Sequence, residues 1–401
     1  MAPKAGDGDA TLLLGSRTSN PQREEFLQVA RPFLRGDLHA IDPALPGLLA
    51  VLRETGAAEC WHKHGTFLEH LQDVYRILKI WGASDAVARC GLFHSAYSNS
   101  YVNLAIFTPD VDRQRVRDLV SCEAERLIHL FCIVPRHALI HDTLLFRFTD
   151  EELREGLRNQ DSECIHKLRG ILPPEGINVK HIRSGEDVQL PRAVVAIFLL
   201  LTMADFIDQL TGWQDALFGN DNGTLAWSGN NWAALWPGNG KPGLWMSAIS
   251  RMGVLLNLIL REENVESIQL PPVFNYCTVV LDAEDQIRAR DLYWEAVHVK
   301  GSGLETLESV EPLLTQASTY NPWVGEPHVL LSQVYLSKGE FEKAEAEASK
   351  GLCLLLQWGT NWDKRVSWEG WIAWCRVLHS KAQEKVWSQS AWDIINLGLV
   401  K

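Results

Sequence analysis

Apolar residues recur at three- and four-residue spacing along most of this chain, and that spacing admits little besides packed α-helices. From Phe67 the series runs Phe67, Leu68, Leu71, Val74, Ile77, Leu78 and Trp81, one buried face of one helix, closed by Gly82. Ser84 or Asp85 suits the cap of the next helix, expected over Ala86 to Tyr97. Val116 to Cys132 is another amphipathic run, and Thr149-Asp150-Glu151-Glu152 is a capping box that opens a further helix. The run Ala193 to Ala204 is apolar on every side, which marks a helix buried in a core. It falls well short of the ~18 apolar residues that suggest a membrane span. Alternating strand patterns are scarce; Pro272 to Leu281 is apolar enough for a short strand. The expected fold class is all-α.

Composition divides the chain. Residues 1–20 read as a disordered tail, because Leu12-Leu13-Leu14 is too short for the apolar core of a signal peptide. Residues 21–262 read as one helical domain. It contains a Gly-, Asn- and Trp-rich stretch at 212–245, holding Trp213, Trp227, Trp232, Trp236 and Trp245. So long a stretch without periodicity is usually a functional loop or disorder, and five indoles that want burial favour the loop. It either closes over a ligand or packs two domains together. Gly238-Asn239-Gly240-Lys241-Pro242-Gly243 within it has the glycine spacing of a dinucleotide motif but no preceding strand, so it reads as turn chemistry.

Residues 263–401 read as paired helices. Glu326 to Leu352 has Pro327 in a first turn, Leu331, Ser332 and Tyr335 on one helix, and a turn at Gly339. Phe341, Ala344, Ala348 and Gly351 then follow on a second helix. Small residues at Ser332, Ala344 and Ala348 let two helices approach closely, and the segment resembles a tetratricopeptide repeat. Asp285 to Pro322 has the same layout, and a looser unit with Trp368, Trp371 and Trp374 follows. The resemblance implies a helical-hairpin array that binds a protein partner or self-associates. It should also lean on the N-terminal domain, since about three units are needed for such an array to stand alone.

A net charge of −12 and the lack of a basic run argue against nucleic acid as a partner. The eight cysteines are scattered with no Cys-x-x-Cys pair. They read as reduced thiols of a cytoplasmic protein, with no structural zinc site and no disulfide framework.

Three polar residues break the apolar faces. His70 lies in line with Val74, Ile77 and Trp81; His94 follows Val87 and Gly91 at helical spacing; Asp205 ends the Ala193–Ala204 run. A buried carboxylate is costly unless it is paired or holds a metal, and two inward imidazoles are fitting partners. An inward histidine is also a common hydrogen-bonded core residue. His70-x-x-x-Val74, with His94 following 24 positions after His70, resembles the hydrolase domain of the RelA/SpoT-type alarmone enzymes. Glu123 to Ile128 resembles the helix after their metal doublet, and Met203-Ala204-Asp205 resembles their Leu-Ala-Asp. Gly91-Leu92-Phe93-His94-Ser95 is closer still to the signature of a bacterial and plant HD-like family that carries no assigned activity. The resemblance implies an HD-like helical domain in which His70, His94 and Asp205 hold a divalent metal, Mn, Fe or Zn.

Two departures remove the inherited mechanism. The aspartate of the His-Asp doublet is Ser95, and the acids that would orient water correspond to Ser98 and Asn99. Ser95 and Asn99 therefore enter the candidate site as neutral groups. His64, in Cys60-Trp61-His62-Lys63-His64, is close enough to His70 to line the same pocket. His137 and His141 stand four apart and could share a metal on a helix, as the extra histidine pair of HD-type oxygenases does; otherwise they are surface histidines near a helix end. Two functions follow from this. One is a metal-dependent hydrolase or oxygenase that acts on or senses a small metabolite. The other is a non-catalytic scaffold or regulator with a degenerate HD-like core.

Overall fold

The structure, a computed structural model, describes residues 20–62, 65–100, 105–209, 247–262, 280–300 and 304–388. The tail through residue 19, His64, the Trp-rich stretch 212–245, Cys277 and all but the last two residues of the expected strand Pro272–Leu281 lie outside them.

The fold is all-α. Among the described residues, strands form only two small antiparallel ribbons. The first is β1 (Trp61–His62) with β2 (Gly65–Thr66); the second is β3 (Ile177–Lys180) with β4 (Asp187–Leu190), Ile177 facing Leu190. Among the described residues, the α-helices of eight or more residues in the first half begin with α1 (Asn20–Arg35), α2 (Leu45–Glu54), α3 (Phe67–Ile80), α4 (Asp85–Leu92), α5 (Arg113–Val120) and α6 (Cys122–Ile133). After them come α7 (Asp150–Arg158), α8 (Glu163–Ile171), α9 (Arg192–Gln209) and α10 (Ser247–Glu262).

Local chemistry sets the ends of these helices. Thr66 and Glu69 form a capping box at α3: the Glu69 N–H donates to Thr66 Oγ1 at 3.2 Å and the Thr66 N–H to Glu69 Oε2 at 2.7 Å. Thr149 and Glu152 form the same box at α7. Ser84 caps α4 by accepting from the Val87 N–H. α4 then stops at Leu92, short of the expected Tyr97, so His94 lies in the turn after the helix. The reason is local: His94 Nδ1 donates to the Gly91 carbonyl at 2.7 Å, and the Phe93 N–H tightens onto Cys90. The amphipathic run Val116–Cys132 is likewise two helices, parted at Ser121, whose φ of +98° ends α5 while its hydroxyl caps α6.

α9 fulfils the buried-helix expectation, packing on α3, α4 and α10 with Val195, Phe198, Leu199 and Met203 out of contact with solvent. Truncating one such leucine to alanine typically costs about 2–5 kcal/mol.

The second half is a succession of helices, each packed on the next: α11 (Ala283–Trp294), α12 (Leu307–Tyr320), α13 (Glu326–Lys338), α14 (Phe341–Trp358) and α15 (Trp368–Glu384). Ser332 Oγ donates to the Ala344 carbonyl at 2.8 Å, a contact that needs two backbones close together. The halves share one apolar core. α1 lies against α14, and Trp81 Nε1 donates to the Gln357 carbonyl at 3.1 Å. No helix among the described residues is long and apolar enough to cross a membrane.

Candidate metal centre

His70, His94 and Asp205 meet in the first half, each at most 6% exposed. α3 presents His70 from its buried face, α9 presents Asp205, and the turn after α4 presents His94. Gly91 makes the meeting feasible. A Cβ there would lie 3.2 Å from Val74 Cγ1 and 2.3 Å from Leu78 Cδ1 on α3, with Leu201 of α9 close behind at 3.6 Å. Three helices therefore converge at a residue with no side chain, and the histidine three positions on is brought against them.

One ligand atom from each residue faces the others, all within 4.8 Å. His70 Nε2 lies 3.4 Å from His94 Nε2 and 3.3 Å from Asp205 Oδ1, and His94 Nε2 lies 3.9 Å from the same oxygen. Donors bound at about 2.1 Å to one tetrahedral ion stand about 3.4 Å apart, so these spacings suit a shared cation. Each imidazole is held from behind. His70 Nδ1 is 2.7 Å from Asp208 Oδ2 and His94 Nδ1 is 2.7 Å from the Gly91 carbonyl, so both Nε2 atoms turn inward. Gln209, one helical turn beyond Asp205, donates its carboxamide to Asp205 Oδ1, with His70 Nε2 at 2.9 Å from the same nitrogen.

The electrostatics call for positive charge at this point. Burial opposes an imidazolium at His70, but Asp205 and Asp208 outweigh it and hold His70 up to about 9. A cation bound there would take the place of that proton. Burial pushes His94 down to about 4, which leaves it neutral with a free lone pair at neutral pH. For Asp205, burial favours the acid, yet His70, His94 and Arg136 together hold the carboxyl well below the usual carboxylate range. Arg136 is buried, 4.0 Å from Asp205 Oδ2, with its guanidinium 3.8 Å above the Phe131 ring.

Among the described residues, the remaining sequence candidates do not join the trio. Ser95 Oγ accepts from Asn99 Nδ2 at 2.9 Å, a neutral pair that ties the turn behind His94. His137 and His141 stack at 4.7 Å, but the backbone from Ala138 to Leu144 is π-helical, and His141 packs against Phe206 instead of reaching Asp205. His141 is fully buried with neither ring nitrogen hydrogen-bonded, and burial pushes it down to about 3. Of the Cys60–His64 cluster, His62 stacks 4.6 Å from the His70 ring, while His64 lies outside the described residues.

Asp208, Gln209, Arg136 and Lys364 were not singled out from sequence. Asp208 and Gln209 stand three and four positions after Asp205 on the same helix face, which was a usable signal. Glu125, on α6, belongs to a separate ion-paired network: it accepts from Arg113, Arg117 and Tyr97.

A family model described as "Domain of unknown function (DUF6817)" matches residues 51–136, a span that includes both histidines and ends before Asp205. No curated protein and no solved structure matches the chain.

Proposed function

We propose that this chain is an HD-like metal protein in which His70, His94 and Asp205 hold one divalent cation, Mn, Fe or Zn, that binds and acts on a small metabolite. Support comes from the convergence of two Nε2 atoms and one carboxylate oxygen on a single point, with both Nδ1 atoms engaged behind. Three protein ligands leave room for a further donor, and such an ion supplies Lewis-acid or redox chemistry to whatever oxygen completes its shell. Two neutral imidazoles and one carboxylate leave a divalent ion with about one unit of net positive charge. Arg136 adds another cation beside Asp205. That balance favours a ligand with an anionic oxygen, such as a phosphorylated or polyhydroxylated metabolite. With Ser95 and Asn99 where the related enzymes carry acids, polarisation of the ligand and oxygenase-type chemistry suit the site better than base-assisted alarmone hydrolysis. The second half would act as a tetratricopeptide-like array for a protein partner or for self-association. The described cysteines are all free, which suits a cytoplasmic setting.

The test is metal analysis after reconstitution with Mn, Fe or Zn, on the wild-type chain beside His70→Ala, His94→Ala and Asp205→Ala. One ion per wild-type chain, absent from variants of unchanged helical content, is the expected result. A wild-type chain that holds no stoichiometric metal would leave the scaffold function in its place.

A further inference from the structure

We propose that Asp208 and Lys364 are positioning residues of the metal centre, so that the loop after α14 completes a site whose three ligands come from the first half. This rests on the reading of His70 as a ligand through Nε2.

An imidazole that faces an ion with one nitrogen is oriented by the bond made at the other. His70 Nδ1 meets Asp208 Oδ2 at 2.7 Å, and the Asp208 side chain is fully buried. Asp208 sits three positions after Asp205 on α9, so one helix carries a ligand and aims a second. The other oxygen of Asp208 faces Lys364 Nζ at 3.5 Å. Lys364 is itself held, donating to Thr360 Oγ1 at 3.0 Å with its side chain 10% exposed.

The loop that carries Lys364 is fastened to the helix that carries His70. Arg76 Nε donates to the Gly359 carbonyl at 2.9 Å and Arg76 Nη1 pairs with Glu369 at 3.2 Å. Gly359 has a φ of +67°, and a Cβ there would stand 3.3 Å from the Ile77 backbone on α3. The loop thus grips α3 by its backbone and reaches α9 by its lysine. A buried carboxylate beside a second one is costly without a counter-charge, and Lys364 supplies that charge from the other half of the molecule.

The test uses the full chain stripped of metal, with Zn2+ titrated against a chromophoric chelator. In parallel, the downfield proton signal of His70 Nδ1–H is recorded, assigned by its loss in His70→Ala. In Asp208→Asn the amide NH2 can donate to Nδ1 and favour the tautomer protonated at Nε2, so Zn2+ should bind about 10–100-fold more weakly with the signal displaced. Lys364→Met should weaken binding about tenfold and move the signal less, while Lys364→Arg restores both. If Lys364→Met does not fold, Lys364→Gln, which keeps a donor for Thr360, is read in the same way. Folded Asp208→Asn and Lys364→Met chains that match wild type in both readouts overturn the proposal. A wild-type chain that binds no Zn2+ removes the metal reading and this proposal with it, and movement of the His70 signal in the variants then reports only the orientation of a core histidine.

Discussion

Two buried polar clusters lie in the two halves of this molecule, and they are built on opposite plans. Around Asp363, in the second half, every polar atom of the aspartate points at a partner of its own. Asp363 Oδ2 accepts from Tyr293 at 2.6 Å, both of its carboxylate oxygens accept from Arg365, and its backbone N–H donates to Glu326 Oε1 at 3.1 Å. Its carbonyl accepts from Asn361 at 2.7 Å and from Trp371 at 2.9 Å. Such a network stabilises and specifies a packing arrangement. Around Asp205 the ligand atoms of three residues face one another, His70 Nε2, His94 Nε2 and Asp205 Oδ1, with the Gln209 carboxamide as the donor beside them. Burial and perturbed ionisation occur in both clusters, so neither property marks a site. Convergence of metal-ligand atoms on one point does.

The largest effect expected from this contrast is a crossed pair of substitutions. Asp205→Asn should weaken metal binding more than about 100-fold, because an ion loses its only charged ligand. Asp363→Asn should keep metal stoichiometry while costing about 2 kcal/mol, since it weakens the hydrogen bonds that a fully buried carboxylate accepts from Tyr293 and from the half-buried Arg365. Urea unfolding of the metal-free chains and metal analysis of the folded ones measure the two effects. With metal at about 100 times the wild-type Kd, wild type should gain about 2.7 kcal/mol and Asp363→Asn the same increment, whereas Asp205→Asn should gain less than about 0.4 kcal/mol. Loss of metal from both variants would dissolve the distinction.

What sequence reading could reach follows from how far each signal extends. A helix that buries one face must repeat its apolar residues at the helical period, so α3 and α9 were visible, and so were His70 and Asp205 as polar interruptions of them. His94 was legible as a residue and misplaced as an element. Its own side chain takes the Gly91 carbonyl, which no periodicity reports. His137 and His141 were paired by helical spacing and their rings do lie 4.7 Å apart, but the π-helical backbone that carries the segment leaves no local pattern. Lys364 and Arg136 reach the centre through contacts between segments distant in sequence, and such contacts leave no local pattern. The small residues Ser332 and Ala344 did foretell a close helix pair, because steric room is a local property.

Glu326 sharpens the comparison through pH. Its Oε1 accepts from the Trp362 N–H at 2.6 Å and from the Asp363 N–H, while Oε2 has no hydrogen-bond partner. Burial pushes its carboxyl up to about 7, from an ordinary value of 4.5, although the backbone donors oppose the shift. Because the folded pKa lies above the unfolded one, the contribution to stability is complete below about pH 4.5 and is lost as pH rises through about 7. Glu326→Gln keeps the acceptor and cannot ionise. It should therefore unfold like wild type near pH 5 and be more stable by roughly 2 kcal/mol near pH 8. Denaturation midpoints across that range check the sign, and equal midpoints at both ends would mean that Glu326 is ionised in the folded chain. Metal binding should not change, since Glu326 belongs to the cluster around Asp363 and touches none of the three candidate ligands.

The smallest effect on stability should fall on a residue with no polar side chain. Gly91→Ala places a methyl group against Val74 and Leu78 of α3. The Leu78 contact is with a flexible side-chain end that can rotate away, whereas Val74 is stiff at its branched carbon and gives only by moving the backbone. The cost should be about 1–2 kcal/mol, typical of modest overpacking. Its direction matters more than its size: pressing α4 away from α3 also carries off the Gly91 carbonyl that aims His94, so metal affinity should fall together with stability. An equally crowding substitution in the second half, Gly351→Ala, would meet Val329 Cγ2 at 2.9 Å and the Gly325 carbonyl at 3.0 Å. It should cost at least as much stability and leave metal affinity unchanged. If both glycine variants weakened metal binding alike, the centre would be responding to the overall stability of the shared core and not to the placement of His94.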